Sequence, residues 1–238
     1  MNNTHVGGSN TYFKNHIGYK SRNVIDEKNI HMQFMYEIGK FLPTNKNTTI
    51  LDIGYGQGYF STYMNSMGYK NYTGVDIDNT YQNELEKNMP HYTFHHQDVF
   101  DFFNTNTTQY NIIFSSNIFE HLGKEERIVR INKMNHFLQE GGMRINYMPN
   151  ADSILGATGS RYTDITHYSL YNYISFSQLL HEHGNFSTIS HYNQYIGNTI
   201  FKRILHKTAI GITKIIYTIL GFSFPKTYTG QIITICKK

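Results

Sequence analysis

The sequence predicts an α/β fold in which a mostly parallel sheet is covered by helices on both faces. Three observations predict it. Apolar runs of strand length alternate with segments of helical period through most of the 238 residues. One run, Thr49-Ile50-Leu51, leads into Asp52-Ile53-Gly54-Tyr55-Gly56-Gln57-Gly58, and the next ends in Gly74-Val75-Asp76-Ile77-Asp78. The interval between them holds one helix, so together they form a βαβ unit whose strand ends are a natural ligand site.

The elements follow in order. Residues 1–30 are polar, rich in Gly and Asn, and without period, and read as an irregular arm. Phe34, Met35, Ile38, Phe41 and Leu42 fall on one face of a helix that should pack beside the first strand. Further helices are expected at about 57–67, 80–89, 124–140 and 175–183. In the longest, Ile128, Ile131, Met134 and Leu138 form the buried stripe, Glu125 and Glu126 suit the positive N-terminal end, and Gly141 suits the C-cap.

The βαβ unit carries the most chemistry. Glycines at 54, 56 and 58 let the chain turn sharply after the first strand and bring its backbone close to a ligand. Asp76 follows Gly54 at close to the spacing of about 20 residues expected of an acid that accepts from ribose hydroxyls. The pattern is G-x-G-x-G, whereas dinucleotide sites use G-x-G-x-x-G to seat a pyrophosphate.

With its Asp-Ile-Gly lead-in and Val-Asp-Ile-Asp second strand, the unit resembles the first motif and partner acid of class I S-adenosylmethionine-dependent methyltransferases. The resemblance continues in chain order. His95-His96-Gln97-Asp98-Val99 resembles the family's third strand end, which implies that Asp98 accepts from the adenine amino group. Asn111–Ser116 and Asn117-Ile118-Phe119-Glu120-His121-Leu122 resemble the fourth strand and the turn beside the transferable methyl. Gly141-Gly142 before Met143–Asn150 resembles the fifth, and Gln231–Cys236 the antiparallel seventh. The resemblance implies a Rossmann-like, seven-stranded methyltransferase fold over 1–238 as one domain, with S-adenosylmethionine as cofactor. Its cofactor-binding residues would be Asp52, Gly54, Tyr55, Gly56, Gly58, Asp76, Ile77, Asp98, Val99 and Asn117.

A narrower resemblance lies beyond the fifth strand. Pro149-Asn150, then Arg161-Tyr162-Thr163-Asp164-Ile165-Thr166-His167, then Ser175–Leu180 before Gly184, is similar to methyltransferases encoded with bacterial surface-polysaccharide genes. It implies O-methylation of a nucleotide-sugar or phosphosugar in capsule or O-antigen synthesis, with Arg161 and Tyr162 as acceptor contacts and Asp164 either binding a sugar hydroxyl or orienting His167. Methylation of a non-sugar small molecule, or a silent cofactor-binding scaffold, are the alternatives.

Methyl transfer to a hydroxyl needs alignment and a proton acceptor. His121 and His167 are the candidates, since both follow strand ends at the cofactor cleft. Glu120, His121, Asp164 and His167 are also of types that suit a divalent cation, but their sequence spacing is not that of a metal motif, and no metal is expected.

Charge and composition narrow the partners. The net charge of +4 is spread without a basic, aromatic cluster, so nucleic acid is not expected, whereas an anionic small acceptor fits. A single cysteine, Cys236, excludes an internal disulfide. No basic n-region precedes an apolar run at the N-terminus, so a cytoplasmic enzyme is expected. Residues 197–228 read as a helical insertion before the last strand, with Phe201, Ile204, Leu205, Ile212, Ile215, Ile216 and Ile219 on one face and basic residues beside them. Such a stripe packs on its own core or a second subunit, or lies on the inner membrane face; its 209–222 core is too short to span.

Overall fold

The computed structural model describes residues 24–153, 156–162, 164–197 and 199–238. The strands are β1 (Thr49–Ile53), β2 (Asn71–Asp76), β3 (Thr93–His96), β4 (Tyr110–Ser116), β5 (Leu138–Pro149), β6 (Thr188–Asn193) and β7 (Gln231–Lys237). They make one seven-stranded sheet in the order β3-β2-β1-β4-β5-β7-β6. Pairings from β3 through β5 are parallel, and β7 runs antiparallel to both β5 and β6. This is the predicted architecture, down to the reversed last strand.

Side chains alternate across the sheet as the pleat requires. In β4, Ile112 and Phe114 enter one core layer and Ile113 the other. The first layer is roofed by α1 (Val24–Glu37) and α2 (Tyr59–Ser66), with Phe60 stacked on Phe114 at 3.7 Å. The second is covered by α4 (Val99–Thr105), α5 (Lys124–Phe137) and α7 (Tyr173–His183); a short α3 (Gln82–Asn88) precedes β3. Phe34 and Ile38 are buried as expected, while Met35 is exposed.

Two local expectations are corrected. The arm read as irregular over 1–30 is helical from Val24; its residues 1–23 lie outside the described ones. The helix expected over 124–140 ends at Phe137, because Leu138 is taken into β5 opposite Tyr110 and fully buried there. Gly141 is therefore no C-cap. It takes φ +73° inside the strand, where the register shifts between Tyr110 and Ile112.

α8 (Ile200–Ile219) leaves the sheet between β6 and β7, inside the segment predicted as an insertion. None of its residues is buried. Its Thr199 side chain caps the Lys202 amide at 3.2 Å, and its rings meet only the returning chain, His206 against Tyr228 and Tyr217 against Phe224. No helix among the described residues is long and apolar enough to cross a membrane.

Candidate active site

The strand ends of β1 and β2 build the first half of the site. Register pairs Ile53 with Val75, so the Gly54 amide donates to the Val75 carbonyl at 2.8 Å and the glycine loop opens beside Asp76. Gly54, Gly56 and Gly58 all hold positive φ. At Gly58, which starts α2, an added Cβ would also fall 2.3 Å from Leu85 Cδ2, so this glycine serves helix packing as well as the turn.

Asp76 organises the loop. Its Oδ2 accepts from the Gly56 amide at 2.7 Å and its Oδ1 from the Asp78 amide at 2.8 Å. Burial pushes its pKa up to about 6, against the pull of those amides. The backbone cradle and this acid fit a nucleoside with two ribose hydroxyls, and so fit S-adenosylmethionine. Ile77 is partly exposed next to it, its carbonyl bonded by His96 at 2.9 Å.

The other expected cofactor contacts have these surroundings. The Tyr55 ring turns into the core against Phe94 at 5.3 Å, because its neighbours are the glycines that face outward. Val99 likewise buries its side chain in the second core layer. Asp52 sits beneath the loop, 1% exposed, and takes a hydrogen bond from the Tyr72 hydroxyl; burial pushes its pKa up to about 7. Asp98 caps α4 through the Phe100 amide at 2.7 Å, and its Oδ2 lies 3.7 Å from Arg130. Asn117 stands at the end of β4 with φ +53°, its amide on the Tyr147 carbonyl at 3.0 Å.

The second half of the site joins two distant segments. The turn after β4 forms a 3-10 helix, Phe119–His121, and the loop after β5 carries a short α6 (Ala157–Tyr162) and the Asp164–His167 block. The Glu120 carbonyl accepts from the amides of Tyr168 and Ser169 at 2.7 and 3.3 Å, which fastens one segment to the other. The rings of His121 and His167 thereby meet at 4.7 Å.

Hydrogen bonding decides the tautomers. The Thr166 hydroxyl is 2.6 Å from Asp164 Oδ1, and a carboxylate can only accept, so the hydroxyl proton goes there. Thr166 Oγ1 must then accept from His121 Nδ1 at 2.8 Å. His167 Nδ1 contacts the Ser160 carbonyl, again an acceptor only. Both neutral imidazoles therefore carry the proton on Nδ1 and keep the basic lone pair on Nε2.

Asp164 is 8% exposed; its Oδ1 takes the Thr166 hydroxyl that contacts His121, and its Oδ2 lies 3.9 Å from His167 Nε2, in line with the histidine-orienting alternative. Arg161 lies over the ring of Tyr162 at 5.3 Å, and Tyr162 is largely exposed; Thr163 lies outside the described residues. Thr166 was missed in the sequence, although its place in an Asp-x-Thr-His string offered the signal. Glu120 is buried to 1% exposure, and burial pushes its carboxyl up to about 8, helped by the charge of Asp164. One donor atom each of Glu120, His121 and His167 lie within 4.8 Å of one another.

Comparison with known proteins bears on this geometry. Residues 50–142 match the family described as a methyltransferase domain. A search of the curated proteins found no match. Among solved structures, an S-adenosylmethionine-dependent methyltransferase from Archaeoglobus fulgidus is similar at 18% identity and a TM-score of 0.65, covering 89% of this chain and 94% of its own. The plantazolicin methyltransferase BamL, solved with S-adenosylhomocysteine, is similar at 19% identity and a TM-score of 0.56, covering 90% of this chain and 85% of its own. Phosphoethanolamine N-methyltransferase 2 of Haemonchus contortus is similar at 15% identity and a TM-score of 0.59, covering 97% of this chain and 57% of its own. The match over 50–142 and the strand order give this chain the fold of class I methyltransferases, and its glycine cradle and Asp76 suit S-adenosylmethionine.

Proposed function

We propose that this protein methylates an oxygen of a sugar-containing acceptor, a nucleotide-sugar or phosphosugar, in surface-glycan synthesis, acting as a single domain. One observation supports the reading: the rings of His121 and His167 meet at 4.7 Å, each with Nδ1 against an oxygen, so that in the neutral form Nε2 is the atom to take a proton from an acceptor hydroxyl. Bound S-adenosylmethionine supplies an electrophilic methyl. The chain's part is to hold the nucleoside on Gly54, Gly56, Gly58 and Asp76, and to accept the proton at Nε2 of His167 or His121. Arg161, two residues beyond Gly159 on α6, suits an anionic group on the acceptor.

The sugar is supported by the Arg161–His167 block and its similarity to glycan-modifying methyltransferases, and by the chain's mild positive charge. Transfer of labelled methyl from S-adenosylmethionine to a panel of nucleotide-sugars, phosphosugars and small amines tests it. A base-stable methyl ether on a sugar supports the reading. Methylation confined to amines would replace it, and binding of S-adenosylhomocysteine without transfer to any acceptor would leave a silent scaffold.

α8 adds a proposal about place. Its exposed isoleucines, leucine and phenylalanine run from 47% (Ile216) to 77% (Ile219), with Ile210 half-buried, and Lys202, Arg203, Lys207 and Lys214 share the helix with no acidic residue. An exposed apolar face with basic residues beside it matches an anionic bilayer surface. We read the protein as a cytoplasmic enzyme resting on the inner membrane face through α8.

A further inference from the structure

Glu120 is the least accounted-for side chain in the site. It is 1% exposed, and neither carboxylate oxygen is hydrogen-bonded by another described residue. A buried carboxylate is normally paired, neutralised or bound to a metal. The nearest basic atoms are ring nitrogens of His121 and His167, within the 4.8 Å cluster.

We propose that Glu120, His121 and His167 together bind one divalent transition-metal ion, through a carboxylate oxygen and the two Nε2 atoms. The tautomers fixed by Thr166 and Ser160 are those a metal requires, with Nδ1–H donating outward and Nε2 bearing the lone pair. The Asp164–Thr166–His121 chain is the outer support that metal-bound histidines commonly have. Two imidazoles and one carboxylate, with no thiolate, suit Mn²⁺, Fe²⁺, Co²⁺ or Zn²⁺ better than Mg²⁺ or Ca²⁺, which prefer oxygen. Metal–ligand distances of about 2.1 Å put donors roughly 3 to 4 Å apart, so the three groups close by about an ångström on the ion. Three protein ligands leave positions open for an acceptor oxygen.

The chemistry assigned to the ion rests on the hydroxyl acceptor proposed above; its binding does not. A hydroxyl on the ion is acidified and loses its proton to solvent water. Its oxygen then forms the new bond to the methyl carbon as the carbon–sulfur bond breaks, the electron pair staying on sulfur. The proton-accepting role proposed above for His167 or His121 belongs to the chain without the ion; with the ion bound, their Nε2 atoms hold it and the proton goes to solvent.

The full-length protein, stripped with chelator, is titrated with Co²⁺ while visible absorption and heat are followed. One ion per chain with d–d bands is expected. E120Q and H167N should each weaken binding at least tenfold while leaving the S-adenosylhomocysteine titration unchanged, which also certifies folding; if one variant fails that control, the other decides. No saturable binding, or one-ion binding that neither variant alters, overturns the site. Transfer abolished by chelator and restored by Mn²⁺ or Co²⁺ supports the role, and transfer indifferent to both overturns it. Co²⁺ binding in a protein that methylates no hydroxyl would sink the acceptor reading and leave the site standing.

Discussion

The Glu120 carbonyl accepts the Tyr168 amide at 2.7 Å, across 48 positions of sequence, and this bond sets the turn after β4 against the loop after β5. Everything proposed for the acceptor side depends on that junction. The cofactor side is independent of it, being built from β1, β2 and one glycine loop. The two halves can therefore be disturbed one at a time.

Thr166 is the pivot of the acceptor half. Thr166→Val removes the hydroxyl that joins His121 Nδ1 to Asp164 Oδ1, so turnover should fall by about tenfold or more, with cofactor affinity unchanged. Thr166→Ser should restore it. A steady-state split of kcat and KM checks this, and an unaffected kcat would remove Thr166 from the positioning role.

Asp76 should matter to the cofactor alone. Asp76→Ala should weaken S-adenosylhomocysteine binding by about 1 to 3 kcal/mol. Its folded pKa lies near 6, so the wild-type carboxylate is progressively protonated below that value, which in the ribose role proposed for it removes an acceptor. Affinity should decline on acidification through pH 6. Calorimetry at several pH values reads both effects.

Asp52 links stability to pH in a direction unusual for a carboxylate. Its pKa is raised from 3.8 to about 7, so the folded state holds a proton that the unfolded chain has released, and stability falls as pH rises through that window. The slope due to this group is on the order of 1 kcal/mol per pH unit between pH 5 and 7. Asp76 adds in the same sense up to about 6, and His191, lowered to about 4 by burial, opposes both up to its ordinary value of 6.5. Urea unfolding of wild type and Asp52→Asn should show the flatter profile in the variant.

Gly58→Ala should cost about 1 to 3 kcal/mol, from the positive φ and the collision with Leu85. Leu85→Ala in the same chain should recover the steric part and leave the conformational part. Strict additivity in the double-mutant cycle would show that the two residues do not press on each other.

α8 should take the protein to anionic vesicles. Sedimentation with phosphatidylglycerol-containing vesicles is expected, and little with phosphatidylcholine alone. Lys202→Glu with Lys207→Glu should abolish it. Vesicle-independent dimerisation lost on Ile212→Asp would assign the face to a second copy instead.

The cofactor half was legible because its constraints are local in sequence. Glycines at alternate positions and an acid one βαβ unit away leave few other readings, and the mostly parallel sheet followed from the alternation. Tyr55 and Val99 show the limit: adjacency to a site does not say which way a side chain points, and both face the core. The acceptor half was legible as residue types only. Glu120 and His167 become neighbours through a carbonyl bonded to two amides, and no spacing announces that. Asp164 stayed open between a sugar contact and a histidine support because nothing in a linear string distinguishes an exposed contact from a buried one. Leu138 shows a third kind of difference, where pairing to Tyr110 outweighs helical period at the end of α5.

The placement of β7 between β5 and β6 has a consequence for biosynthesis. As the chain leaves the ribosome, β6 and the α8 segment emerge while the slot that will join β6 to the sheet is still empty. β5 meanwhile presents an open edge that only residues 231–237 can fill. The cofactor half can assemble early, on β1, β2 and β4, but the sheet closes only once residues 231–237 have been made. An apolar, basic α8 exposed during that interval could reach a bilayer before the enzyme has finished folding, so delivery and maturation would become a single event.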